Sequence, residues 1–258
     1  MRLEAENLSF SYGGKPVLQD VSITVESGSF TALLGPNGSG KSTLALILAG
    51  LGKEDGGRVN LTLSERRALC RIVFQNPDNQ IIGESVEEDA AFGPENQRLR
   101  KEEIRLRVDE ALSICSLSQK RKDSPHSLSG GERQRLALAS VLALKPDFLI
   151  LDEASSMLDR RSIEDILSIL RRECRERKLG VLYITHHTEE VVQADRVYIL
   201  NGGRITSSGR AEEVLTYDNL TSSSLSLPYA LFLSHSLGLR ECLTLDEAAS
   251  EIAENVKV

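Results

Sequence analysis

The chain has 258 residues, 40% hydrophobic and 27% charged, which suits an ordinary globular protein of one domain or one and a half. A net charge of -7 argues against nucleic acid as the main partner, because such proteins usually carry a basic surface. Aromatics are only 4%, so the core is aliphatic, and Cys70, Cys115, Cys174 and Cys242 are too scattered for a zinc or CxxC pattern and read as reduced thiols.

No apolar run at the start of the chain marks a signal peptide. The longest apolar stretches, near Leu44–Leu51 and Leu136–Leu144, fall short of the roughly 20 residues of a membrane span. Leu3–Phe10 and Val17–Val25 alternate near period two around Gly13-Gly14, predicting antiparallel strands with one exposed face. Phe30–Leu34 predicts a buried strand and Ser42–Ala49 a buried helix. Arg58–Leu63 is a weak strand, Cys70–Phe74 a clearer one. From Val86 to Leu144 the period turns helical, with Ile104, Val108, Leu112 and Cys115 on one face. Gly131–Leu144 ends before Pro146. Next come a strand at Phe148–Leu151, a helix at Ser162–Arg177 with Ile163, Ile166, Leu167 and Leu170 inward, a strand at Val181–Thr185 and a short helix at Thr188–Gln193. A hairpin of Val197–Leu200 and Arg204–Thr206 closes over Asn201-Gly202-Gly203. This alternation predicts an α/β fold with a mostly parallel sheet, interrupted by a helical insertion. Ser-rich Thr221–Ser226 reads as a linker to a small appendage, Leu227–Val258, too short to fold alone. The basic run Arg171–Lys178 reads as a solvated helix end matched to the helix dipole.

Gly35-Pro36-Asn37-Gly38-Ser39-Gly40-Lys41-Ser42, followed by Thr43, fits GxxxxGK[ST] in full between a buried strand and an apolar helix. Backbone N–H groups there would wrap phosphate oxygens, Lys41 would reach the β- and γ-phosphates, and Ser42 would ligate Mg²⁺. Phe148–Leu151 ends in Asp152-Glu153. Asp152 would hold Mg²⁺, and Glu153 could polarise an attacking water as general base. Leu128-Ser129-Gly130-Gly131-Glu132 has the spacing of a capping box, Ser129 with Glu132, at a helix N-terminus that can also bind an anion.

LSGGE resembles the signature of ATP-binding-cassette (ABC) ATPases, and further elements of that family follow in order. Tyr12 matches the aromatic that stacks on adenine, Gln75 the glutamine that senses Mg²⁺ and the membrane partner, Asp159 in Ser156-Met157-Leu158-Asp159 the dimer-contacting loop, and His186 the switch histidine at γ-phosphate. The resemblance covers residues 1 to about 215. It implies a P-loop NTPase (RecA-like) core with a small antiparallel β subdomain and an inserted helical subdomain at about 76–146, within a nucleotide-binding domain of residues 1–222. It also implies ATP and Mg²⁺ as cofactors. In this family the phosphate loop of one cassette meets Ser129-Gly130-Gly131 of another, so a second ABC ATPase subunit, identical or not, is implied.

Phe74–Asn96, FQNPDNQIIGESVEEDAAFGPEN, is more specific. It resembles the ATPases (A components) of energy-coupling-factor (ECF) transporters and the related cobalt/nickel ATPases. That resemblance implies a transmembrane T component, a substrate-binding S component for a vitamin or metal ion, and a peripheral place at the cytoplasmic face of the cell membrane, with membrane contact through those partners. Leu227-Pro228 and a helix, then Leu243-Thr244-Leu245-Asp246-Glu247, resemble a small C-terminal dimerisation region at 223–258; a tail packed on its own cassette is the alternative. The ATPase of another ABC importer or exporter, and a soluble ABC ATPase not tied to transport, are the alternative functions. The chain departs from the family pattern at His187, at Ala154-Ser155 and in a shortened region, Lys53–Arg67, that implies a trimmed β hairpin.

Overall fold

In strand β1 (Arg2–Tyr12), Leu3, Ala5 and Leu8 are buried between more exposed neighbours. This period-two pattern lays one face of an antiparallel sheet on the core. Gly13 and Gly14, both at positive φ, turn the chain into β2 (Lys15–Glu26). The chain then enters β3 (Phe30–Leu34), buried along its whole length, and α1 (Lys41–Leu48). Strand β4 (Gly56–Thr62) returns to the free edge of β1, giving the order β2-β1-β4. This computed structural model describes residues 1–62, 68–156 and 158–255. The predicted end of β4 at Leu63, part of the shortened region Lys53–Arg67, Met157 and the last three residues lie outside them.

The second sheet combines β3 with β5 (Cys70–Val73), β6 (Phe148–Asp152), β7 (Gly180–Thr185), β8 (Arg196–Asn201) and β9 (Arg204–Gly209) in the order β5-β6-β7-β3-β8-β9. All neighbours are parallel except β8 and β9, which form the predicted hairpin. Strands buried on both faces must be apolar throughout. In β6, Leu149 and Leu151 join one core, while Phe148 and Ile150 join the other, shared with α1 and the small sheet. All four cysteines are buried and unpaired, and burial pushes the thiols of Cys70, Cys115 and Cys174 up to about 12.

Between β5 and β6 lie α2 (Val86–Asn96), α3 (Lys101–Ile114) and α4 (Gly130–Leu142), the predicted helical insertion. Ser85 and Glu88 close a capping box on α2. Asp89, 3% exposed, accepts from the backbone N–H of Ile82 (2.8 Å) and Gly83 (3.1 Å) and from the Ser140 hydroxyl on α4 (2.6 Å). The acidic stretch after Gln75 thus builds its own turn and fastens it to α4.

Helix α5 (Arg160–Arg177) buries Ile166, Leu167 and Leu170 as expected, while Ile163 is only partly buried. Its basic end is not simply solvated. Arg171 lies over the Phe30 ring (5.6 Å), and burial lowers its pKa. Arg177 pairs with Glu110 on α3 and with Glu173. The expected helix Thr188–Gln193 is a single 3-10 turn, Thr188–Val191.

The C-terminal stretch carries α6 (Ala211–Val214), α7 (Tyr217–Ser222), α8 (Tyr229–Ser236) and α9 (Leu245–Asn255). Thr221–Ser226 is not a free linker: α7 runs into it, Ser223 and Leu225 are buried, and the Ser226 carbonyl accepts from the Thr188 hydroxyl (3.0 Å). Leu231 of α8 reaches the main core, while Tyr229, Phe232 and Leu237 stay exposed. Among the described residues no helix is long and apolar enough to cross a membrane.

Candidate functional site

The phosphate loop joins β3 to α1. Gly40, the N-cap of α1, has φ 105°, and a Cβ there would press on Leu18 Cδ2 at 2.8 Å, so only glycine fits. No side chain caps this helix end, which leaves its N–H groups and dipole directed at the loop. Lys41, 4% exposed, donates from Nζ to the carbonyls of Gly35 (2.9 Å) and Pro36 (3.1 Å) and pairs with Glu153 Oε1 at 3.2 Å. Asn37, Gly38, Gly40, Lys41, Ser42 and Thr43, with Gln75 and Glu153, line an open cleft of about 530 Å³. Ser39 is buried, its Oγ without a hydrogen-bond partner among the described residues.

Asp152 ends β6 beside the Ser42 hydroxyl. Burial holds its carboxyl above the ordinary range, against the opposing Ser42 hydrogen bond. Its Oδ1 is buried and has no hydrogen-bond partner among the described residues. A buried acidic oxygen beside a hydroxyl suits a divalent cation, which takes oxygen ligands and would reverse the upward shift. The donor set of Ser42, Asp152 and the nearby Gln75 fits Mg²⁺.

Glu153 is one residue past the strand, at φ 49°. This left-handed conformation costs about 1–3 kcal/mol for a residue other than glycine and persists only where the surroundings fix it. Its N–H donates to the Ile184 carbonyl of β7 (3.0 Å). The Nδ1 of His186, just beyond β7, is 3.5 Å from Glu153 Oε1. Lys41 and His186 therefore meet on one carboxylate oxygen. Gln75 Nε2 donates to Ser156 Oγ (3.0 Å), linking the end of β5 to the loop after Glu153. His187 is exposed but not idle: its ring packs on that of His186, centroids 4.0 Å apart, and its N–H donates to Thr185 Oγ1 (3.0 Å). Tyr12 is 55% exposed and meets Phe10 edge-on, which leaves a ring face free.

Ser129, Gly130 and Gly131 do not line this cleft. They open α4, where Ser129 and Glu132 form the expected capping box. Ser129 and Gly130 are exposed, and a Cβ on Gly130 would meet nothing within 4 Å. A Cβ on Gly131 would lie 2.3 Å from Ser162 Oγ of α5. Ser162 is in turn held by Asp159, which caps α5 by accepting from the Ser162 N–H (2.9 Å) and hydroxyl (3.1 Å). Asp159 itself is exposed. One chain thus presents a cleft lined by the loop after β3 and, apart from it, a glycine-rich helix end with Ser129 and Gly130 exposed. Sequence reasoning noted Ser155 only as a departure from the family pattern and Ser156 only in the loop that ends at Asp159, and it missed Glu190.

Residues 18–156 match the family described as ABC transporter. The chain is 42% identical to the energy-coupling factor transporter ATP-binding protein EcfA1 of Symbiobacterium thermophilum, over 97% of this chain and 96% of that protein. It is 40% identical to the EcfA1 of Geobacillus kaustophilus, over 91% and 88%. Its fold is similar to that of cbiO1 from Clostridium perfringens, part of the ABC transporter complex cbiONQ, at a TM-score of 0.78 and 32% identity over 92% of this chain and 98% of that one. The fold and these likenesses define an ATPase, and the chain belongs to the ABC transporter family. Within that family it is an ATPase of the energy-coupling-factor type.

Proposed function

We propose that this chain is the energy-coupling subunit of an ECF-type importer, hydrolysing ATP to drive uptake of a vitamin or metal ion. The observation that carries the catalytic reading is the convergence of Lys41 and His186 on Glu153, at 3.2 and 3.5 Å, beside the phosphate loop. Tyr12 stacks on adenine. Residues 35–43 wrap the phosphates, with Lys41 supplying a cation to the β- and γ-phosphates. Glu153 accepts a proton from water as the water oxygen bonds the γ-phosphorus and the bond to the ADP oxygen breaks. His186 orients the γ-phosphate. Ser42, Asp152 and Gln75 would hold Mg²⁺, which would supply neutralisation of phosphate charge. Reactions of this type depend mainly on positioning and charge neutralisation.

Ser129-Gly130-Gly131 would complete the site of a second cassette, with Asp159 at the contact between the two. The exposure of Ser129 and Gly130, outside the chain's own cleft, supports this reading. Residues 1–222 form the catalytic cassette, with the helical subdomain at about 76–146. Residues 223–258 form the dimerisation region, a role that the exposed apolar side chains of α8 support. A T component and an S component hold the assembly at the cytoplasmic face of the membrane. Affinity capture of the full chain from native membranes, with its partners identified by mass, tests this. A cassette ATPase, one large multi-spanning protein and one small one are expected. A matched pair of permeases, or no membrane protein, would contradict it.

A further inference from the structure

Glu190 lies four residues after His186, in the turn Thr188–Val191, and is 7% exposed. A buried carboxylate is costly unless its oxygens are hydrogen-bonded. One of its oxygens, Oε2, accepts from two buried hydroxyls: Tyr183 Oη at 2.8 Å and Ser155 Oγ at 2.9 Å. Tyr183 is in β7, three residues before His186, and Ser155 is two residues after Glu153. One carboxylate therefore ties together the strand and turn that carry His186 and the loop that carries Glu153. That loop holds Glu153 at a positive φ, a conformation that needs outside support. The turn is fastened on its outer side as well, where Thr188 donates to the Ser226 carbonyl and Glu189 accepts from the Tyr229 N–H.

We propose that Glu190 is a positioning residue that fixes the Glu153 and His186 loops relative to each other through Ser155 and Tyr183. The inference rests on the roles given above to Glu153 and His186, but Glu190 itself does not line the cleft of Lys41 and Glu153. Misplacing reacting groups by about 1 Å can cost about 100-fold in rate. Glu190→Ala should therefore lower kcat for ATP about 10- to 100-fold, with KM within about threefold of the parent, the pattern of a lost transition-state arrangement. Glu190→Gln keeps an oxygen that can accept both hydroxyl bonds and should restore kcat to within about threefold. Ser155→Ala should act in the same direction, and adding it to Glu190→Ala should cost little more, because both remove one network.

Amide hydrogen exchange on the full chain supplies a readout independent of turnover. Glu190→Ala should speed exchange both at residues 153–156 and at residues 184–187. Parental kcat in Glu190→Ala, equal loss in the Ala and Gln variants, or faster exchange confined to residues 187–190 would overturn the proposal. A parent chain that turns over no ATP would defeat the functional reading instead, while the exchange pattern would still decide whether Glu190 joins the two loops.

Discussion

Lys41 is almost fully buried, yet its ammonium meets two backbone carbonyls and the Glu153 carboxylate. That placement suits a cation that binds phosphate at the floor of the cleft. Lys41→Ala should weaken ATP binding by at least about 30-fold, the loss of about 2 kcal/mol of charge-assisted bonding. Equilibrium binding of a fluorescent ATP analogue measures it, and parental affinity would remove Lys41 from this role. Glu132 shows a different use of charge. Its hydrogen bond to Lys120, then that from the Ser129 N–H, hold its carboxyl down at about 2 against an ordinary 4.5. A depressed carboxylate pKa stabilises the fold above the unfolded value and is lost as pH falls through the folded one. The stability difference between the parent and Glu132→Gln should thus be full above about pH 4.5 and shrink towards pH 2. Denaturant titrations across that range check it, and a difference independent of pH would contradict it.

Asp89 shows how a segment that sequence reasoning assigned to partner recognition is first of all built to fold. Its carboxylate holds the turn at Ile82 and Gly83 and reaches Ser140, so α2, the stretch after Gln75 and α4 form one unit. Asp89→Ala strands buried donors and should cost about 2–3 kcal/mol of stability, read from the denaturant midpoint. A loss near zero would mean that the turn stands without it. The contiguous parts of the site were legible before the fold, because a phosphate loop needs its residues at fixed spacing between strand and helix. Lys41 could be named on that ground, Glu153 from the apolar strand that ends in Asp152-Glu153, and the capping box from the spacing of Ser129 and Glu132. The pairings Ser155–Glu190 and Asp89–Ser140 span 35 and 51 residues and exist only once β6, β7 and α4 are packed. Local composition also misled at Thr221–Ser226. Serines there signalled a linker, but Leu225 on the inward side and the bond from Thr188 to Ser226 dock it on the cassette. Arg171, partly buried, lies over the Phe30 ring, a contact that no helical period reveals, while Arg172, Arg175, Arg177 and Lys178 of the same run are exposed.

The whole chain offers two chemically complementary surfaces that do not meet within it. One is the cleft lined by Lys41, Ser42, Gln75 and Glu153, and the other is the capped end of α4, where Ser129 and Gly130 are exposed. Among the described residues no helix of this chain is long and apolar enough to cross a membrane; in the assembly proposed above, closure of such a site passes on to partners that do cross it. The unit from Gln75 through α2 to α4 is placed to do this, since Gln75 touches Ser156 beside Glu153 and Asp89 fastens the same unit to the helix that begins at Ser129. The central claim is that Glu153 drives ATP hydrolysis in that assembly. ATP turnover by the complex captured on a Glu153→Gln chain, compared with the parent at saturating ATP, tests it most directly. The account predicts that ATP stays bound with affinity within about threefold while turnover falls at least about 100-fold; turnover within a few-fold of the parent would contradict it.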